Sequence, residues 1–271
     1  MPNPSPATTG HALITGASSG IGAAIAREYA RRGKPLILTA RREDRLTALA
    51  DELGALVPCT VIAADLADPT VPAALFGQIR DLDLHVDTLV NNAGYGVTGH
   101  FLAQPWSTHA DFLQVMVTAP CELAHLFLPG MQERRHGRII NVASLAGLVP
   151  GSAGHTLYGA SKAFLIKFSQ SLALENTALG VHVCALCPGF TWSEFHDVTG
   201  TRGMVSKMPK RMWMRSEDVA RIGVDAVERG EIVCIPGRLN RSIKSLFKLL
   251  PDRFALRTMQ KRSKNFRRQD R

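Results

Sequence analysis

The sequence predicts an α/β fold: one doubly wound domain whose seven-stranded parallel sheet carries helices on both faces. Three features lead there. Short apolar runs alternate with stretches of helical spacing along most of the chain. Those runs are continuously apolar, as strands covered on both faces are. The 271 residues, 45% hydrophobic and 20% charged, suffice for one such domain with a large core.

The elements follow in order. Residues 1–10 read as a disordered lead, without the apolar segment or charged start of a secretory signal. Residues 11–15 form a strand and 21–32 a helix. Strand 36–39 precedes helix 43–53, and strand 60–63 precedes helix 71–79. A strand at 88–90 leads to a long helix over 111–131. Strand 138–142, helix 157–179 and strand 181–186 come next, then helix 216–229 and a last strand at 232–235. Residues 11–237 make up the domain. Two segments break the rhythm. Residues 190–215 are a long connection rich in Met and Trp, with the length of a substrate lid. Residues 238–271 are a basic amphipathic extension. No apolar run approaches the ~20 residues that span a bilayer.

Charge and cysteines narrow the function classes. The net charge is +9, yet residues 238–271 hold twelve Lys and Arg against two Asp and Glu, leaving the other 237 residues at −1. A uniformly basic nucleic-acid-binding domain does not fit that distribution, and no specific nucleic-acid partner is expected. Cys59, Cys121, Cys184, Cys187 and Cys234 read as buried free thiols of a cytoplasmic protein. Cys184 and Cys187 form C-x-x-C, but on a strand they face opposite sides, which disfavours a metal or redox role. No metal is expected.

The first strand runs into TGASSGIG, opening a helix. Glycines permit a tight turn and close backbone approach, and the helix start offers N–H groups and a positive dipole end to a pyrophosphate. Gly16, Ser18, Ser19, Gly20, Ile21 and Gly22 are therefore candidate dinucleotide contacts. The second strand ends in Ala40, Arg41 and Arg42, with no carboxylate to take both ribose hydroxyls. A guanidinium suits a 2′-phosphate, so NADP(H) is expected over NAD(H), with Arg41, nearer the strand end, preferred over Arg42. Asp65 and Leu66, and Asn92, Ala93 and Gly94, follow the third and fourth strands at carboxyl ends, where such sheets bind ligands.

Tyr158 and Lys162 stand four apart on one helix face. A neighbouring ammonium would lower the phenol pKa, giving a pair able to exchange a proton with an alcohol or carbonyl oxygen. Ser144, at the end of the fifth strand, can hydrogen-bond that oxygen.

Taken together, TGASSGIG, Asn91-Asn92-Ala93-Gly94, Ser144, Tyr158 with Lys162, and Pro188-Gly189 resemble the short-chain dehydrogenase/reductase family from about residue 11 to 236. The resemblance implies a Rossmann fold and hydride transfer between a nicotinamide and a carbonyl or alcohol. It implies Tyr158 as general acid/base, Lys162 bonding the nicotinamide ribose, and Ser144 polarising the substrate. Pro188, Gly189, Thr191 and Ser193 would lie near the nicotinamide. It also implies a homodimer or homotetramer through the long helices. One departure stands out: the run V-M-V-T-A puts Met116 where the family carries an asparagine of its proton relay. A thioether donates no hydrogen bond and accepts weakly. Slower proton resupply, substitution by Thr118, or a catalytically weak NADP-binding scaffold are the three consequences.

The connection 190–215 offers Trp192, Phe195, Met204, Met208, Met212, Trp213 and Met214, an adaptable apolar surface for an apolar substrate. Its Lys207, Lys210, Arg211 and Arg215 leave a 3-oxoacyl thioester open as an alternative substrate class. In the extension, Leu239, Ile243, Leu246, Phe247 and Leu250 recur at helical spacing among Arg241, Lys244 and Lys248, and Pro251 should end the helix. Such a helix can make a peripheral membrane contact. The preferred expectation is that it docks on its own body or a partner subunit, followed by a solvated basic tail.

Overall fold

The computed structural model describes residues 10–97, 99–192 and 209–263, with side chains through residue 260. The expected N-terminal lead, apart from Gly10, lies outside them. So do Ser193, Phe195, Met204, Lys207 and Met208.

The seven-stranded parallel sheet is present. Its strands are β1 His11–Thr15, β2 Leu36–Ala40, β3 Cys59–Ala63, β4 Val86–Asn91, β5 Gly137–Val142, β6 Val181–Leu186 and, numbered after a small separate pair, β9 Val233–Cys234. They lie in the order β3-β2-β1-β4-β5-β6-β9. The order of strands reverses across the sheet between β1 and β4, and sheets of this kind bind ligands in the crevice outside those strand ends. Side chains alternate faces, as a period of two requires. Ala12 and Ile14 join Leu36 and Leu38 under helices α1 (Gly20–Arg31), α2 (Glu43–Leu53) and α7 (Ser216–Glu228). Leu13 and Ile37 join Leu75, Leu123, Phe127 and Ile139 on the opposite face, under α3 (Val71–Asp81) and the long helix.

The long helix begins five residues before the expected start. It comprises α4 Trp106–Leu113, a π turn over Gln114–Thr118, and α5 Ala119–Glu133. Together Trp106–Glu133 is long and apolar enough to cross a membrane by length and composition, contrary to expectation, although here α5 packs on β4, β5 and α3. The π turn has a local cause. Pro120 has no N–H to give the carbonyl four residues back, and its ring crowds that carbonyl. Met116 therefore loses its α-helical donor, and the backbone widens to an i→i+5 pattern, with Ala119 N–H bonding the Gln114 carbonyl.

α6 (Thr156–Asn176) carries Tyr158 and Lys162. After β6 the chain forms the small pair β7 Phe190–Trp192 and β8 Trp213–Arg215. Trp192 stacks on Trp213 with ring centres 4.2 Å apart. The extension forms two helices, α8 Arg238–Leu249 and α9 Asp252–Ser263, separated at Pro251 as expected. All five cysteines are free.

Candidate active site

The site lies along the carboxyl edge of the sheet. Thr15, at the end of β1, gives its hydroxyl to the Val90 carbonyl and receives the N–H groups of Asn92 and Ala93 at 2.9 and 3.0 Å. Asn92 Nδ2 donates to the Thr15 and Gly16 carbonyls at 3.0 and 3.1 Å. The glycine turn and the Asn92-Ala93-Gly94 segment are thus one clamped unit. Gly16 sits at φ +66°, and a Cβ on Gly22 would lie 2.4 Å from both Asn92 Nδ2 and the Gly16 carbonyl oxygen. These two glycines let the segments close on each other. Asn92, expected as a cofactor ligand, spends both amide protons on that closure.

A dinucleotide fits the donors present. α1 starts without an acidic residue in its first turn, and its N-cap Ser19 makes no side-chain cap. Its backbone N–H groups and positive dipole end suit a pyrophosphate. Arg42 Nη2 donates to Ser18 Oγ at 3.1 Å and to Ser19 Oγ at 3.0 Å, so a guanidinium and two hydroxyls converge beside the turn. Arg41, the preferred residue by sequence, instead points its charge toward Asp65 at 4.0 Å, with both side chains exposed. Of the two arginines, Arg42 is thus the one that reaches the glycine turn. Asp65 accepts from the Ala67 N–H, and Leu66 is buried.

The chemical end is built on β5, β6 and α6. Ser144 Oγ accepts from the Ala146 N–H at 3.1 Å, and the Leu145 N–H reaches the Pro188 carbonyl at 2.9 Å, which ties the serine to the Pro188-Gly189 turn. Ser144 also hydrogen-bonds the Tyr158 phenol. Lys162 is buried and donates to the Val142 carbonyl at 2.7 Å, with Nζ 5.8 Å from the centre of the Tyr158 ring. One expectation is reversed. Loss of solvent pushes the phenol pKa up, and this outweighs the Ser144 hydrogen bond that lowers it. The same burial acts on Lys162 and lowers its own pKa to about 8. Thr191 is buried, its hydroxyl on the Gly189 carbonyl at 3.2 Å.

Met116 is 1% exposed, and its sulfur lies 2.7 Å from where a Cβ on Gly94 would stand. It is a packing residue beneath Gly94. Thr118, the suggested substitute for the relay amide, faces solvent.

A small cleft opens on Tyr158, lined by Val97, His100, Phe101, His109, Phe112 and Leu157 among others. His109 is buried with Nε2 2.8 Å from the Phe101 carbonyl, and its ring stacks on Phe101 at 4.7 Å, which fixes that wall. His155 packs edge-on against Tyr158 at 6.5 Å, and burial lowers its pKa. Sequence reasoning missed this wall, since an irregular loop and two histidines carry no spacing signal. It also missed Asn240, whose buried amide donates to the Pro236 carbonyl at 2.7 Å. The Asn240 oxygen lies 2.5 Å from where a Cβ on Gly189 would stand.

The family model for short chain dehydrogenases matches residues 10–201. The chain belongs to the short-chain dehydrogenase family. It is an oxidoreductase by that membership. An uncharacterised oxidoreductase of Myxococcus xanthus is 37% identical over 223 residues, 81% of this chain and 84% of that protein. A short-chain dehydrogenase from Sphingobium yanoikuyae solved with NADPH aligns at a TM-score of 0.78 with 32% identity, covering 89% of this chain and 96% of that one. The bulky-bulky ketone specific alcohol dehydrogenase from Comamonas testosteroni aligns at 0.73 with 31% identity, covering 89% and 95%.

Proposed function

We propose that this chain is an NADP(H)-dependent reductase of apolar carbonyl compounds, with Tyr158 as proton donor. The observation that carries this reading is Tyr158, hydrogen-bonded to Ser144 on the wall of a mainly apolar cleft at the carboxyl edge of the sheet. With its pKa raised, the phenol keeps its proton at neutral pH and can give it to a carbonyl oxygen. The Ser144 hydroxyl can donate to the same oxygen and hold it in line. A bound nicotinamide would supply the hydride. Lys162, with a pKa near 8, exchanges its proton readily at working pH and stands one helical turn from the phenol it would recharge.

Three features support the finer points. Arg42 with Ser18 and Ser19 favours a 2′-phosphate, hence NADP(H). Phe101, Phe112, Leu157 and the Trp192–Trp213 stack favour a bulky apolar substrate, in keeping with the ketone specificity carried in the name of the Comamonas enzyme. Exposed Phe164 and Leu174 on α6 give apolar area to the expected homodimer or homotetramer. The intact Ser144, Tyr158 and Lys162 weigh against a scaffold role, since Met116 alters packing rather than the three reacting side chains.

The test is NADPH oxidation by the purified protein over a panel of hydrophobic ketones, aldehydes and 3-oxoacyl thioesters, with Tyr158→Phe as the blank. Turnover that vanishes in the blank is expected. Tight NADPH binding without turnover above the blank would overturn the reading in favour of a scaffold.

A further inference from the structure

We infer that the C-terminal extension is a docking surface for anionic lipid bilayers, and that it holds the mouth of the active site toward the membrane. Of the thirteen exposed large apolar side chains among the described residues, five fall in one eighteen-residue stretch: Leu239, Leu246, Leu249, Phe254 and Leu256. Leu249 is 83% exposed. α8 is docked, but by one face only. Asn240 is buried and Ile243 and Phe247 are half-buried, whereas Leu239, Leu246 and Leu249 stay in solvent. At 100° per residue the three leucines fall within about one quarter of the helix circumference. Arg238, Arg241 and Lys248, all exposed, border them on the next quarter. The expected apolar stripe is thus divided: its inner residues meet the body, and a leucine edge flanked by cations faces out.

Charge complementarity selects the occupant. Residues 238–271 carry +10 while the remainder carries −1, so a second copy of this chain offers no matching acidic bulk. Arg238, Arg241, Lys244, Lys248, Arg253 and Arg257 have no carboxylate partner among the described residues. A nucleic acid would satisfy the cations and leave the leucines in water. An anionic bilayer satisfies both, through headgroup phosphates and the acyl boundary.

The fold gives the docking a direction. Every strand of the main sheet is parallel, so the carboxyl end of β9, from which α8 departs, lies on the same edge as Gly94, Ser144 and Gly189. Asn240 at the start of α8 packs directly on Gly189. An apolar substrate dissolved in a bilayer would meet the site from that edge. Lipid binding itself stands independently of the reductase reading.

The experiment is co-sedimentation of the full chain with vesicles of phosphatidylcholine alone and of phosphatidylcholine with phosphatidylglycerol, at low and high salt. Binding to the anionic vesicles alone, lost at high salt, is expected. Lys248→Gln with Arg257→Gln should weaken it about ten- to thirtyfold. Leu246→Ser with Leu249→Ser should weaken it even at low salt. NADPH binding by each variant should match the wild type, which establishes that it is folded. No binding to anionic vesicles at low salt overturns the inference. So does equal binding to both vesicle types. A change of oligomeric state in the leucine variant, without vesicle binding by the wild type, would overturn it in favour of a second copy. Phosphate-dependent DNA binding that vesicles do not compete would overturn it in favour of nucleic acid.

Discussion

Arg41 and Arg42 are adjacent and chemically identical, yet the structure gives them different work. Arg42 reaches two serine hydroxyls of the glycine turn, and Arg41 leans toward Asp65. Arg42→Ala should raise the NADPH dissociation constant about thirtyfold, the loss of about 2 kcal/mol of charge-assisted hydrogen bonding. NADH affinity should change little, and Arg41→Ala should have the smaller effect on NADPH; fluorescence titration of both nucleotides reads this. Lys162 makes a second prediction. Its pKa falls from 10.5 in the unfolded chain to about 8 in the folded one. Below pH 8 both states carry the charge, and the folded state bears the full cost of burying it. Between about 8 and 10.5 only the unfolded chain holds the proton, so this group's contribution to folding improves as pH rises, by about 3 kcal/mol in all. Other buried groups titrate in the same range, so the informative quantity is a difference. Urea unfolding of the cofactor-free protein at about pH 7 and about pH 10, set against Lys162→Met, should show a relative gain with pH in the wild type. Equal pH dependence in the two proteins would contradict it.

Among the elements, the long helix is the informative one. The strand and helix types were legible in the sequence because apolar runs and 3.6-residue spacing report burial directly. The sequence also showed Pro120 and Met116, but not their connection. Pro120 leaves the Met116 carbonyl without its α-helical donor in a turn that packs against α6. With a thioether side chain at this position, the polar group Met116 holds is its backbone carbonyl, which has lost its α-helical donor. Pro120→Ala restores the missing N–H and should close the π turn. If the turn serves proton resupply, kcat should fall several-fold with KM for NADPH unchanged. Met116→Asn should leave kcat within about threefold, because it changes only the side chain. It should cost about 2 kcal/mol of stability, since it sets an amide into a site with 1% exposure against Gly94. Urea titration beside steady-state kinetics separates the two effects. A large rise in kcat for Met116→Asn would return the relay to the side chain.

Over the whole molecule, the extension and the body meet at the Pro188-Gly189 turn. Asn240 bonds the Pro236 carbonyl and fills the space over Gly189, joining residues that are far apart in the chain. Asn240→Ala leaves that carbonyl unpaired and opens a cavity beside the turn, so about 1–3 kcal/mol of stability should be lost. Because Gly189 follows Pro188, whose carbonyl holds the Ser144 loop, kcat should fall as well. Stability loss with unchanged kinetics would make Asn240 a purely structural link.

What the sequence determined by itself is what depends on local order. The doubly wound sheet follows from alternating apolar segments, and the glycine turn, Ser144 and the Tyr158–Lys162 pair follow from short motifs whose spacing fixes a face or a turn. The tertiary structure decided what depends on neighbours remote in sequence. It assigned Arg42 rather than Arg41 to the turn, gave Asn92 to the Thr15 and Gly16 carbonyls, and raised the Tyr158 pKa instead of lowering it. It built the cleft wall from His100, Phe101 and His109 and divided the α8 stripe between the body and solvent. The physical reason is common to these cases. Desolvation, hydrogen-bond choice and cavity shape are properties of what surrounds a group, and a residue's position along the chain does not specify its surroundings.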